Sequence, residues 1–168
     1  VSRTAGRPLA IGNISIIEAW VFFIVLALVS FALLWFTNAL TIKLSIFFGF
    51  LIVLYPITKR FISAPQFILG ITFGSGSVIG YSLETSVFST SILTLYIGII
   101  AWIVSFDTYY ALQDKDDDLK IGVNSTAILW GENAVIYSKI LHLIFYASLL
   151  IIAIINSFSY FFFLIFIG

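Results

Sequence analysis

Cysteine is absent from the 168 residues, which excludes disulfides, iron–sulfur clusters and thiolate zinc sites. The redox compartment is left open by the same absence. There is a single histidine, so a multi-histidine metal centre is excluded too. Charge is scarce: 10% of the residues are Asp, Glu, Lys or Arg, against about 25% in a soluble domain. The basic and acidic side chains number eight each and cancel, leaving no global basic field to attract nucleic acid. What fills the chain is 61% hydrophobic, with 18% aromatic. Length predicts one domain, residues 1–168, and the composition predicts an all-α, polytopic membrane helical bundle.

Six apolar segments are read from the sequence: 17–36, 40–58, 61–83, 87–112, 128–155 and a stub from 158 to Gly168. The first five approach the roughly 20 residues that a membrane helix needs, and the stub is too short to cross. The expectation is therefore five full spans plus a partial sixth. All should be helices, because lipid offers no partner to unpaired backbone groups. Short loops make successive helices antiparallel neighbours. Arg3 and Arg7 precede the first span, Lys59 and Arg60 follow the second, and Lys115 and Lys120 follow the fourth. These three loops share one side, which the positive-inside rule makes cytoplasmic or its topological equivalent. No secretory signal fits the polar start, Val1 to Gly12. In the third segment Gly70, Gly74, Gly76 and Gly80 form two Gly-xxx-Gly pairs, suited to close helix packing or to a smooth wall for a long apolar substrate.

The stretch Asp107 to Lys120 holds five of the eight acidic residues. Asp107 follows the apolar run Ile97 to Phe106, and an ionisable group at such a membrane edge reads as functional by default. Positions seven and eleven apart return to one helix face, so Asp107, Asp114 and Asp118 form an acidic stripe with Tyr110 and Ala111 beside it. Oxygen-only ligands suit Mg²⁺, which takes one or two carboxylates and completes its shell with water and phosphate. A calcium loop fails, because Leu119 stands where Gly is needed and Ser125 where Glu is needed. A solvated loop explains Lys115 to Lys120 but not Asp107. A cation or proton pathway through Asp107 stays open as a reading, although the spans hold almost no other charge to continue it.

Arg3-Thr-Ala-Gly-Arg7-Pro8 places two guanidinium groups four residues apart, suited to phosphate oxygens, in a turn signalled by Gly6 and Pro8. Pro56 is expected to disturb the end of the second span and leave Lys59 at the surface. Plain topology anchoring explains Lys59 and Arg60 equally well. His142, alone within the fifth span, reads as packed or hydrogen-bonded. Trp20, Trp35, Trp102 and Trp130 fit interfacial belts or packing. Asn38, Asn124 and Asn133 carry no assignment.

Three motifs then stand in order. Asp107-Thr-Tyr-Tyr-Ala-Leu-Gln-Asp114-Lys-Asp-Asp-Asp118-Leu-Lys-Ile-Gly122-Val-Asn-Ser125-Thr126-Ala resembles the second aspartate motif of UbiA-type intramembrane prenyltransferases. Arg3-Thr4-x-x-Arg7-Pro8 resembles the segment after their first, and Tyr55-Pro56-x-x-Lys59-Arg60 with Pro65-Gln66 and Gly70 matches as well. The pattern is most similar to the branch acting on 4-hydroxybenzoate. The resemblance implies an all-helical prenyltransferase that moves a polyprenyl group from its diphosphate to the 4-hydroxybenzoate ring, in ubiquinone biosynthesis. It implies Mg²⁺ contacts through Asp107 and Asp114, with Asp118 as a further metal ligand. It also implies diphosphate contacts through Arg3, Arg7, Tyr55 and Lys59, and Arg60 is assigned to the acceptor carboxylate. Another aromatic acceptor within the family is the nearest rival. The implied location is a bacterial or mitochondrial inner membrane, with the aspartate motif on the cytoplasmic or matrix side. A first motif of the Asn-Asp-x-x-Asp type is expected just upstream of Arg3, so the chain reads as incomplete, lacking that motif and the first helices.

Overall fold

The computed structural model describes residues 5–167, with side chains through 166. All regular structure among them is helical. It comprises α1 (Ile16–Leu34), α2 (Ala39–Thr58), α3 (Pro65–Glu84), α4 (Thr90–Ile121), α5 (Thr126–Trp130), α6 (Ala134–Ile155) and α7 (Tyr160–Ile167), with a 3₁₀ turn at Gly131–Asn133. Local chemistry marks the helix starts. Ser15 and Glu18 form a reciprocal capping box before α1, at 2.8 and 3.2 Å. Asn38, Ser89 and Ser125 cap α2, α4 and α5 by accepting a backbone N–H. Pro65 opens α3, where its missing N–H costs nothing.

Four stretches among the described residues are long and apolar enough to cross a membrane: Ile16–Leu34, Ala39–Thr58, Thr90–Ile121 and Thr126–Ile155. The third expected span, α3, has 20 residues, but its Gly and Ser residues dilute its apolarity. Three boundaries differ from the sequence reading. The fourth span continues through the whole acidic cluster to Ile121, because that segment contains no breaker before Gly122, which takes a left-handed C-cap at φ 69°. Pro56 lies inside α2, which runs on to Thr58, although the proline has no N–H to offer the Ile52 carbonyl one turn back. The fifth span is divided by Gly131, at φ 53°, into α5 and α6.

The core is a row of pairwise contacts, α2 on α3, α3 on α4, and α4 on α6, with α5 wedged between the last two. Its buried side chains are mostly small: Ala101, Val104, Ser105, Ala127, Ala134, Ser138, Ser148 and Ala153 among them. Small residues let membrane helices approach until dispersion and hydrogen bonds hold them. Gly70 and Gly74 serve this purpose, since a Cβ on either would press on Ile100, Val104 or Tyr96 of α4. Gly76 and Gly80 face open space. His142 is part of the α4–α6 seam, with Nδ1 2.6 Å from the Ser105 hydroxyl. Helix α1 departs from the antiparallel packing expected of it, for none of its residues is buried.

Candidate functional site

At 32 residues, α4 is about 48 Å long against a hydrocarbon core of about 30 Å. Its apolar part ends at Phe106, so its last turns project beyond the membrane and carry the acidic stripe. Asp107, Asp114 and Asp118 are all half-buried. They lie along one face rather than around a point. The helical rise separates Asp107 from Asp114 by about 10 Å, and Asp107 from Asp118 by about 16 Å. Accordingly, no three His, Asp or Glu side chains among the described residues gather into a metal cage. Such a wall of carboxylates fits a hard cation held by one carboxylate at a time and completed by substrate oxygens, as Mg²⁺ prefers.

Opposite that wall stands the end of α2. Lys59 and Tyr55, one turn apart, are both half-buried, and Lys59 Nζ lies 6.0 Å from the centre of the Tyr55 ring. Asp107 is within electrostatic reach of the Tyr55 phenol. In the projecting turns, burial pushes the Asp118 carboxyl up from the usual carboxylate range. Lys59 opposes that shift, while Asp114, Asp117 and Asp107 add to it. Lys59 is thus within electrostatic reach of Asp118, on a helix face where several carboxylates repel one another, a field that a divalent ion would relieve.

Asp107 also closes one end of a cavity of about 500 Å³ between α3 and α4. Its other lining residues, Leu69, Phe73, Ile99, Trp102, Ile103 and Phe106, are all apolar. Positions 99, 102, 103, 106 and 107 recur at helical spacing, so the cavity follows one face of α4 from mid-membrane to the carboxylate. Its open side is lateral, with Phe73 72% exposed.

Of the residues singled out from sequence, Asp107, Asp114 and Asp118 share one face of α4, with Tyr55 within electrostatic reach of Asp107 and Lys59 of Asp118. Arg7 lies in the turn before α1 and Arg60 just after α2; both are exposed. Arg3 lies outside the described residues. The sequence reading quoted Gln66, Thr108, Asn124 and Thr126 within its motifs but gave none of them a role in supporting the site. The Asn124 N–H donates to the Lys59 carbonyl at 2.9 Å, joining the loop after α4 to the end of α2. Gln66 is 1% exposed and accepts the Thr126 N–H at 2.9 Å. The Thr126 and Thr108 hydroxyls meet at 2.6 Å beside Asp107. The available signal was a polar residue directly after a helix-opening proline, at Pro65-Gln66.

Comparison with known proteins agrees with this fold. The model for the UbiA prenyltransferase family matches residues 1–168. The 4-hydroxybenzoate octaprenyltransferase of Saccharophagus degradans is 43% identical over 143 residues, covering 85% of this chain and 48% of that protein. The 4-hydroxybenzoate octaprenyltransferase of Pseudomonas aeruginosa is 45% identical over 134 residues, 79% of this chain and 45% of that protein. The chain therefore spans about half the length of the curated relatives it matches. The apo structure of a UbiA homolog from Aeropyrum pernix K1 superposes with a TM-score of 0.81 at 28% identity, covering 95% of this chain and 61% of that one.

Proposed function

Since this integral membrane chain belongs to the UbiA prenyltransferase family, we propose that it contributes the second carboxylate wall and a cationic rim of an enzyme that prenylates 4-hydroxybenzoate. The donor is a polyprenyl diphosphate and the product a ubiquinone precursor. The observation that carries this reading is the apolar cavity between α3 and α4 that has Asp107 in its lining, with the Tyr55 phenol within electrostatic reach of that carboxylate. A long hydrocarbon tail with a doubly charged head suits that layout. The names of the similar proteins supply the acceptor.

Asp107 and Asp114 would hold Mg²⁺, with Asp118 at the outer end of the same face. When bound, Mg²⁺ supplies positive charge against the departing diphosphate. Lys59, Arg7 and Arg3 would contact diphosphate oxygens, adding preorganised charge where negative charge develops. The Tyr55 phenol, against Asp107, would orient the head group. The apolar walls from Leu69 to Phe106 hold the tail and keep water from the allylic carbon as its bond to oxygen breaks. The ring carbon ortho to the phenol oxygen then forms the new carbon–carbon bond and gives up its proton. Arg60 would pair with the acceptor carboxylate. The carboxylate face would lie on the cytoplasmic or matrix side of an inner membrane, the side that the basic loops favour.

The test uses membranes containing the intact protein, labelled 4-hydroxybenzoate, a polyprenyl diphosphate and Mg²⁺. Asp107→Asn and Asp114→Asn are expected to abolish labelled lipid product while inserting normally, and Arg60→Ala to raise the acceptor KM. Wild-type rates in both aspartate variants would sink the assignment. An unchanged acceptor KM removes Arg60 from the site.

A further inference from the structure

The two walls of the proposed site are on different helices, Lys59 at the end of α2 and Asp107 on α4, and one short piece of chain touches both. Asn124 donates its backbone N–H to the Lys59 carbonyl at 2.9 Å. Two residues on, the Thr126 N–H donates to Gln66 Oε1 of α3 at 2.9 Å. The Thr126 hydroxyl meets the Thr108 hydroxyl at 2.6 Å, and Thr108 in turn lies 2.6 Å from the Val104 carbonyl. Each hydroxyl has one proton. If Thr108 donates to Val104, Thr126 must donate to Thr108, and the chain of bonds has one direction. Thr108 is the residue after Asp107.

All three side chains are deeply buried, Gln66 at 1% exposure and Thr108 and Thr126 at 0%. Ser125, between the bonded residues, is 2% exposed and caps α5 through its hydroxyl. Buried amides and hydroxyls cost free energy unless they are paired, and a valine would fill the same space without that demand. What the polar set adds is direction, since a hydrogen-bonded network admits fewer arrangements than an apolar contact. The ties converge on the turn that bears Asp107 and on the carbonyl of Lys59, the two groups that would hold the diphosphate head in the proposed site.

We infer that segment 124–126, clamped by Gln66 and Thr108, is a positioning device that sets the distance between Lys59 and the Asp107 carboxylate. This rests on the functional reading above. Gln66, Thr108 and Thr126 touch neither metal nor substrate; they act through the two groups that do.

The test is binding of inorganic pyrophosphate with Mg²⁺ to the intact protein, measured by calorimetry beside its thermal transition. Thr126→Val and Thr108→Val remove a hydroxyl at constant volume and are expected to weaken binding about fivefold to tenfold, the range of one net hydrogen bond. Thr126→Ser keeps the hydroxyl and is expected to bind as the wild type does. In an Asp107→Asn background, Thr126→Val is expected to cause no further loss of affinity. A purely structural tie predicts a lower transition temperature in both backgrounds with affinity unchanged, and that outcome overturns the inference. So does equal weakening by Thr126→Ser and Thr126→Val. Should Thr126→Val not fold, Thr108→Val with Thr126→Ser decides on the same criteria. Wild-type protein that binds Mg²⁺–pyrophosphate but makes no prenylated product removes the acceptor reading and leaves the clamp standing. Wild-type protein that binds no pyrophosphate removes the site and the clamp together.

Discussion

Gly98 faces Ser148 across the α4–α6 seam so closely that a Cβ there would overlap the Ser148 side chain. Gly98→Ala is therefore expected to cost about 1–3 kcal/mol, the usual penalty of overpacking. Gly76→Ala, with nothing within 4 Å of the added carbon, is expected to leave stability unchanged or slightly raised. Unfolding of the purified protein in a denaturing detergent series measures both, and equal effects would contradict the seam. The same contrast shows where single residues were legible. The glycine pairs announced close packing, and Gly70 and Gly74 supply it. Nothing in the local pattern distinguished them from Gly76 and Gly80, because which side of α3 meets α4 depends on the partner helix. The carboxylates were legible for a different reason. Asp107 is a charge set after ten mostly apolar residues, and its cost in that setting needs no fold to be noticed.

At the scale of elements, α4 decides the site's reach. It continues past the membrane boundary, so the acidic cluster forms a rigid helical face and not a loop. Gly122 ends that helix at φ 69°, a conformation other residues adopt with strain. Gly122→Ala is expected to destabilise by about 1 kcal/mol. It is also expected to loosen the following loop, seen as faster hydrogen exchange at Asn124 and Thr126. Unchanged exchange there would show that the ties to Lys59 and Gln66 hold the loop without the cap. Proline was a weaker guide than glycine. Pro56 suggested a disturbed helix end, but α2 passes through it to Thr58. Proline disrupts through the bond it cannot donate and its clash with the preceding turn, yet the helical path continues for two residues beyond it.

For the whole molecule, loop polarity and tertiary contacts agree on sidedness. The Lys59 carbonyl is bonded to the loop after α4, while at the other end Asn38 reaches the Ser82 carbonyl and Asn156 the Ser91 hydroxyl. The absence of cysteine makes this directly testable. Ser63→Cys and Lys120→Cys are expected to react with a membrane-impermeant thiol reagent from one side only, and Ser86→Cys and Ser159→Cys from the other. Labelling of all four from one side would refute the topology. Composition and motif order determined by themselves that this chain is helical and membrane-bound, and which residue types gather at one face. Hydrophobic length and the price of buried charge act locally, so both can be read without coordinates. Only the tertiary structure decided that the helix bearing the acidic stripe runs unbroken to Ile121, and that Asp107 lines an apolar cavity between α3 and α4. It alone joined Asn124, Gln66, Thr108 and Thr126 at the back of the site. These features depend on which helix faces meet, and that is set by contacts between residues up to 65 positions apart, as between Asn156 and Ser91.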